Sequence, residues 1–475
     1  MTLLASLRRA LVALACCASY GGTVLAEDAA GSSDQPVAQR PAISFYRWQE
    51  DWSVLADPHL RTEPGDTIKY ISLSKTDPKR YLSFGLTVRE RYTSVDPALF
   101  GVVGGRHQDF LLHRLELHAD AHLTDNTRVF VQLENALAPN LANPSPVDAN
   151  KLDLRLFFLD SQAEIDGGLL KWRVGRQEIA FDLQRFVSVR DGPNVRLAYD
   201  AIWADYERDG WRITGFASQP VQYRNTADFD DYSNRHLTYS GIRMQRQLTA
   251  TSELSASLSD FRQDNVHFLA GFGNEERQNV DVHYNGHAYG FDWDIEGMKQ
   301  GGSIGAKTVD AWAFGSLTGF TFSALDWNPR IGIQLDAASG DKNLSDGRVG
   351  TFNPMLPNGY YVTLSGYTGY TNFIHFKPSL SVTPREDVKL VAAVGVLWRQ
   401  STQDAIYTQP DIPVPGTAGE PGRRSSTYGQ LQATWNATRN LAFSMEFDRY
   451  FVAPALRLAG GHDSDYLGVQ LSWGW

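Results

Sequence analysis

LLKWRVGRQEIAFDLQRFVSVRDGPNVRLAYDAI, residues 169–202, is the stretch from which the fold can be read. Leu170, Trp172 and Val174 fall on one face of an alternating run, and Lys171 and Arg173 fall on the other. A period of two is the signature of a strand with unlike faces. The run then breaks into a polar loop carrying Arg176, Arg185, Arg190 and Arg196, and alternation resumes at Tyr199. A strand with an apolar outer face, feeding cationic groups into a polar loop, suits the wall of a membrane pore.

The alternation extends both ways from this stretch. Leu82, Phe84, Leu86 and Val88 oppose Ser83, Thr87, Arg89 and Arg91; Leu111, Leu115 and Leu117 oppose Arg114, Glu116 and His118. Continued to the C-terminus, including segments at 277–284, 287–299, 305–318 and 320–337, the pattern predicts about 18 strands of roughly 10 residues, the length a tilted membrane strand needs. Tight turns are expected at Thr124-Asp125-Asn126, Asp166-Gly167-Gly168, Asp209-Gly210, Asn285-Gly286 and Pro384-Arg385-Glu386. Long polar stretches at 181–198, 220–234, 339–366 and 401–425 alternate with them. Short turns on one side and long loops on the other describe an all-β, antiparallel, up-and-down transmembrane barrel with periplasmic turns and extracellular loops. The final strand, Leu467, Val469, Leu471, Trp473 and Trp475 on one face, resembles the C-terminal signal of bacterial outer-membrane proteins. Trp172, Trp203, Trp211, Trp398, Trp435 and Trp473 lie near strand ends, where interfacial aromatic belts form.

Residues 1–26 read as a secretory signal: Arg8 and Arg9, an apolar run from Ala10 to Ala18, and a small-residue cleavage site at Val24-Leu25-Ala26. The run is too short to span a bilayer. Leu14-Ala15-Cys16 resembles part of a lipobox, with Ala13 standing where a large aliphatic residue belongs. The only cysteines, Cys16 and Cys17, leave with this leader, which removes disulfide, zinc-thiolate and cysteine-nucleophile chemistry. A net charge of −10 becomes more negative once the two leader arginines go, which argues against nucleic-acid binding. Residues 27–79, with Pro36, Pro41, Pro58, Pro64 and Pro78, form a periplasmic extension that Phe45, Trp48 and Trp52 could partly order as a linker, lumenal plug or docking segment. Residues 80–475 form the barrel.

The polar face holds Arg89, Arg91, Arg114, Arg128, Arg155, Arg173, Lys377 and Arg399, with Glu116, Glu134, Asp153, Glu446 and Asp448 among them. A lumen in which cations outnumber acids attracts an anionic solute, because a low-dielectric wall focuses the field. Arginine's fork matches carboxylates, and repeated weak pairing permits passage. The alternative is that these arginines pair with the acids to brace the barrel.

Here a resemblance becomes specific. Gly175-Arg176-Gln177-Glu178, then Arg185, Val187, Arg190-Asp191, Asn194-Val195-Arg196 and Asp200, resembles the conserved segment of the alginate-export family of outer-membrane porins. Ala338-Ser339-Gly340-Asp341-Lys342 with Gly350-Thr351-Phe352-Asn353-Pro354-Met355-Leu356-Pro357, and Gly460-Gly461-His462-Asp463-Ser464-Asp465-Tyr466-Leu467, resemble it too. The resemblance implies a monomeric barrel in a Gram-negative outer membrane, with an arginine-rich conduit for a polyuronate. It assigns Arg176, Arg190 and Arg196 to the lining or its constriction, with Glu178 and Asp191 as partners. Occlusion is expected from loops 181–198, 339–366 or 401–425, or from the extension.

Other chemistries are weaker. His118, Asp120 and His122 alternate about 7 Å apart, a long spacing for one metal ion. His113, on the lipid-facing parity, is the lone candidate for a Ser-His hydrolase pair. Asp341 and Asp346 offer oxygen ligands for calcium, against the simpler reading of a solvated loop. No phosphate-binding glycine loop precedes a helix, so no nucleotide cofactor is expected. The sequence thus predicts a passive channel for an acidic polysaccharide or its oligomers. Membrane lipid and periplasmic secretion or assembly proteins are candidate partners. A porin for small organic anions is the nearest alternative, and a barrel enzyme or structural envelope protein is the rival from another class.

Overall fold

A computed structural model describes residues 40–475, so the predicted signal sequence lies outside the described residues. Eighteen long strands form the wall. They are β1 (Tyr81–Asp96), β2 (Gln108–His122), β3 (Thr127–Leu137), β4 (Asn150–Ile165), β5 (Gly168–Gln177), β6 (Tyr199–Arg208), β7 (Trp211–Gln222), β8 (Leu237–Thr249) and β9 (Ser252–Phe268). The second half comprises β10 (Gly271–Ala288), β11 (Phe291–Ile304), β12 (Lys307–Thr321), β13 (Arg330–Ala338), β14 (Phe373–Arg385), β15 (Val388–Trp398), β16 (Arg424–Trp435), β17 (Leu441–Val452) and β18 (Ser464–Gly474). Neighbours pair antiparallel in chain order, and β1 closes on β18 from Thr87↔Gly474 to Asp96↔Asp465. Closure leaves no edge strand with unpaired backbone groups, which lipid would not tolerate.

The alternation divides the wall as the sequence implies. Phe84, Leu117, Phe157, Val174, Ile202, Leu258 and Val280 stand exposed on the outside, while Ser83, Arg89, Arg91, Glu116 and Gln132 are buried inside. Asp166-Gly167 and Asp209-Gly210 both take positive φ at successive residues, the two-residue hairpin geometry that follows the strands' right-handed twist.

Some boundaries move. Asn285-Gly286 is strand, and the turn falls at Tyr289-Gly290, again with φ positive at both residues. A turn at 322–329 replaces the start of the strand expected over 320–337, and Pro384 and Arg385 end β14 instead of turning. Two extracellular connections, at 269–270 and 305–306, are as tight as periplasmic turns. The strands beneath them explain why. On the outer face of β9, Leu254, Ala256 and Leu258 give way to Asp260, Arg262 and Asp264, with Arg262 bonded to Asp260 (2.6 Å) and to Glu276 of β10 (2.9 Å). The wall itself therefore stands clear of the apolar band here, and no long loop is needed to extend it. Trp211 and Trp435 are exposed at strand ends, as an interfacial belt requires, whereas Trp203 turns inward toward Arg173 (5.9 Å).

The lumen is filled from both ends. From the periplasmic end, the Arg47 guanidinium donates to the carbonyls of Leu86 and Trp475 (2.9 Å each) and to Thr87 (2.8 Å). Gly85 makes this fit possible, since a Cβ there would lie 2.9 Å from Arg47 and 2.1 Å from the His118 ring. Trp52, Leu55, Tyr70 and Tyr81 form a small core of their own beneath the barrel. From the other end, the loop 178–198 folds inward, with Phe186, Val187, Val189, Val195 and Leu197 buried.

Candidate functional site

The site is the meeting place of the inner face of β1–β5 with loop 178–198. Inward parity on β1, β2, β4 and β5 presents Arg89, Arg91, Arg114, Arg155 and Arg173, all buried. The loop brings backbone carbonyls and two carboxylates to them. Arg89 donates to the carbonyls of Asp191 (2.6 Å) and Pro193 (3.0 Å), and Arg91 to that of Gly192 (3.0 Å). The Asp191 carboxylate lies 2.6 Å from Arg114, 3.5 Å from Arg196 and 3.9 Å from Arg89. Burial pushes the Asp191 carboxyl up, but Arg114, Arg196 and Arg89 outweigh it and hold the group well below the usual carboxylate range.

A second node centres on Glu178. It accepts from Arg196 (2.6 Å), Arg155 (2.7 Å) and the Trp48 indole (2.8 Å). Arg155 also lies 3.3 Å from Glu134 and 3.5 Å from Glu116, and Arg196 lies 3.4 Å from Glu116. The extension caps this node: Arg173 lies over the Trp48 ring (3.9 Å) and Arg196 over Phe45 (4.3 Å). Nearer the periplasm, Arg128 bridges Asp120 (3.3 Å) and Asp160 (3.1 Å), and Arg173 bonds Asp160 at 2.6 Å. The expected arginine wall is therefore present, but its charges are met by acids and carbonyls, two of those acids supplied by the loop.

Several expected members lie elsewhere. Arg176 pairs in register with exposed Phe157 and with Asp200, which puts it on the outer parity; it bonds Asp200 (2.9 Å) and the Leu154 carbonyl (2.9 Å). The strand runs on through Gln177, and simple alternation carries Arg176 outward. Arg399 braces loop 399–423 by donating to the carbonyls of Thr417 (2.5 Å), Glu420 and Gly422 (2.6 Å each). Asp153 anchors the extracellular loop 223–236, accepting from the Asp231 amide at 3.0 Å. Arg190 sits at φ 48° between buried tyrosines, within electrostatic reach of Tyr199, Tyr223 and Asp411. Among the described residues it forms no ion pair and no side-chain hydrogen bond.

Of the opposite wall, only Lys377, Glu446 and Asp448 were expected on the polar face. Glu275, Asp281, Asp294, Glu296, Asp336, Glu446 and Asp448 are all buried there, with Arg243, Arg277 and Lys377 among them. Lys377 faces inward and donates to the Val362 carbonyl (3.1 Å). The signal was available in the alternation of Arg277, Asn279, Asp281 and His283 within the strand expected over 277–284, which in the structure begins at Gly271 and so also takes in Glu275. The lumen is thus polarised, with arginines on one side and carboxylates on the other.

The two longest family-like motifs join across the lumen. Leu356 pairs with Val187, the Ser188 hydroxyl donates to the Leu356 carbonyl (2.9 Å), and Arg185 donates to the Tyr361 hydroxyl (2.7 Å). Thr351 donates to Asp404 (2.6 Å), tying in the third loop. Asp341 accepts from the amides of Asn343 (2.7 Å) and Gly350 (2.9 Å), and Asp346 from that of Arg348 (2.8 Å), so both serve the loop's own backbone. His118 stacks on Phe130 and His122 on Tyr81, while His113 faces outward and bonds Glu90, not a serine.

Comparison with known proteins agrees with this architecture. Solved structures similar in fold include Pseudomonas aeruginosa OccK5 (OpdH), 11% identical with a TM-score of 0.53 over 83% of this chain and 97% of that one. Pseudomonas aeruginosa OccK3 (OpdO) is 14% identical with a TM-score of 0.53 over 83% and 95%, and Acinetobacter baumannii OccAB3 is 10% identical with 0.55 over 83% and 99%. None of the curated proteins matches in sequence. The family model described as alginate export matches residues 80–470, the whole barrel but for its last residues. The chain therefore belongs to the alginate-export family and is an outer-membrane β-barrel of the channel type.

Proposed function

We propose that this protein passes an acidic polysaccharide of the polyuronate class, or its oligomers, along the arginine face of β1–β5, and that the described conformation is its closed state. The observation that carries the reading is the placement of Asp191 and Glu178. Both are carboxylates on a loop that crosses the lumen, held at the spacing of ion pairs by Arg89, Arg114 and Arg155 of the wall, with Arg196 of the same loop bonded beside them. A uronate carries the same group. When the loop withdraws, substrate carboxylates replace the protein's own, so the arginines are never left without partners and transit needs no large desolvation step. Passage down such a ladder is passive. Arg190 forms no ion pair among the described residues, so it is a cation that an entering polymer could engage without displacing an acid. Membrane lipid is the one partner the barrel requires; a periplasmic protein that draws out the extension would be a second.

The test is the zero-current potential of the purified barrel in a planar bilayer under a salt gradient, with and without polyuronate. Anion selectivity that polyuronate reduces, and that Arg114→Ala weakens, is the expected result. Anion selectivity indifferent to polyuronate would instead favour a porin for small organic anions, and cation selectivity would remove both readings.

A further inference from the structure

We infer that a hard divalent cation, calcium by the chemistry of its donors, binds between loop 178–198 and the acidic wall at Asp182, Asp281 and Glu296. One oxygen from each of these three carboxylates lies within 4.8 Å of the other two, a separation that one ion with bonds of about 2.3–2.6 Å can bridge. Asp182 belongs to the loop, Asp281 to β10 and Glu296 to β11, so the ion would pin the loop to the wall.

The protein's own cations leave this cluster incompletely served. Oδ1 of Asp182 already meets Arg243 (2.5 Å) and His283 (2.8 Å), and Oε2 of Glu296 meets Arg185 (2.8 Å). Oδ2 of Asp182 is buried and has no hydrogen-bond partner. Asp281 is more exceptional. Its side chain is 4% exposed, its nearest cation is Arg243 at 4.0 Å from Oδ1, and its Oδ2 has no donor at all. A buried carboxylate without a donor is among the least tolerated groups in a protein interior, so it is neutralised or it binds a cation.

The charges point the same way. Asp182, Asp281, Asp294 and Glu296 face Arg185, Arg243 and His283, whose two ring nitrogens lie 2.8 Å from Asp182 and 2.9 Å from Asp294. Even with the imidazole protonated, one negative charge is left over. A site of three carboxylates with no thiol, beside an imidazole whose Nε2 is hydrogen-bonded to Asp294, suits calcium over zinc. Magnesium is less suited, because it demands near-ideal octahedral geometry at about 2.0–2.1 Å and dehydrates reluctantly.

The full-length barrel, stripped with chelator and dialysed against radioactive calcium, provides the test. Wild type should bind one more calcium per chain than Asp281→Asn, and its calcium-dependent rise in melting temperature should vanish in that variant. Asp231→Asn, which alters the separate carboxylate group of Asp153, Asp230 and Asp231, should keep both effects. Should Asp281→Asn fail to fold, Glu296→Gln carries the same comparison. Equal calcium in wild type and variant, or none in wild type, overturns the inference and leaves a shared proton as the neutralising charge.

Discussion

Replacing Asp191 by asparagine tests the closed-state argument most directly, since it changes one charge on the loop and almost no volume. The carboxylate makes one short contact, 2.6 Å to Arg114, and two looser ones, 3.5 Å to Arg196 and 3.9 Å to Arg89. A hydrogen bond to a charged group contributes about 1.5–3 kcal/mol net. The amide oxygen would still accept from Arg114, keeping roughly half of that. The side chain is 25% exposed, so solvent screens part of the remainder. The loss should then be about 0.5–1.5 kcal/mol of loop docking, or roughly 2- to 13-fold in the ratio of open to closed channels. Single-channel recording reads this as open probability. The variant should open more often, and its reversal potential should move toward that of a stronger anion channel, because the arginine face gains one net positive charge. Unchanged open probability would mean that Asp191 does not hold the loop shut. Raised open probability with weaker anion selectivity would refute the view that the arginine face is the pathway.

Three further outcomes follow from the same contacts. Trp48→Ala removes a half-buried indole bonded to Glu178 and lying under Arg173; discounting the roughly 3–5 kcal/mol of a fully packed site to about half, protease should cleave residues 40–79 at least tenfold faster. Lys69 lies over Trp52 and Trp475, and burial, aided by Arg47, lowers its ammonium to about 7. The released extension therefore binds a proton that the docked one does not between pH 7 and about 10, so docking should tighten as pH rises through that window. Lys69→Met should keep the extension protected from protease and abolish this dependence. Burial raises Asp411 in loop 399–423 to about 6, where Thr371 is its hydrogen-bond donor (2.7 Å). A raised carboxyl contributes stability at acid pH that is lost as pH climbs from about 4 to about 6, so the protection factors of this loop's amides, exchange relative to its intrinsic rate at each pH, should be higher at pH 4.5 than at pH 7, and Asp411→Asn should flatten the difference.

The wall was legible because it is a local pattern. Leu82 to Val88 against Ser83 to Arg91 needs no partner strand to be recognised, and Asp166-Gly167 and Asp209-Gly210 announce their turns by the φ they require. Asn285-Gly286 carries the same local signal, yet it lies within strand because β9 and β10 pair through it, Ser252 opposite Gly286. Tertiary pairing overrode turn chemistry there. Arg399 looked lumenal by parity, but its fork reaches carbonyls as far along the chain as Gly422, a distance no alternation reports. The filling of the lumen was the least legible feature, because contacts such as Leu356 to Phe186 join residues with nothing in their own neighbourhoods to announce the meeting.

That filling also bears on whether the arginines brace the barrel or serve a substrate, two roles that the sequence sets against each other. Arg128 and Arg173 pair with Asp120 and Asp160, acids fixed to the wall, and such pairs can only brace. Arg89, Arg91 and Arg114 rely instead on Asp191, Gly192 and Pro193, all on a loop that also holds Arg190. A wall that needed only bracing would gain more from acids on neighbouring strands, which cost no loop ordering. Placing the counter-charges on a separable segment makes sense if the arginines must at times accept others. Arg128→Gln should accordingly lower the barrel's melting temperature with little effect on anion selectivity, whereas Arg89→Gln should reduce selectivity more than it reduces stability. The reverse pattern would assign the whole arginine face to bracing.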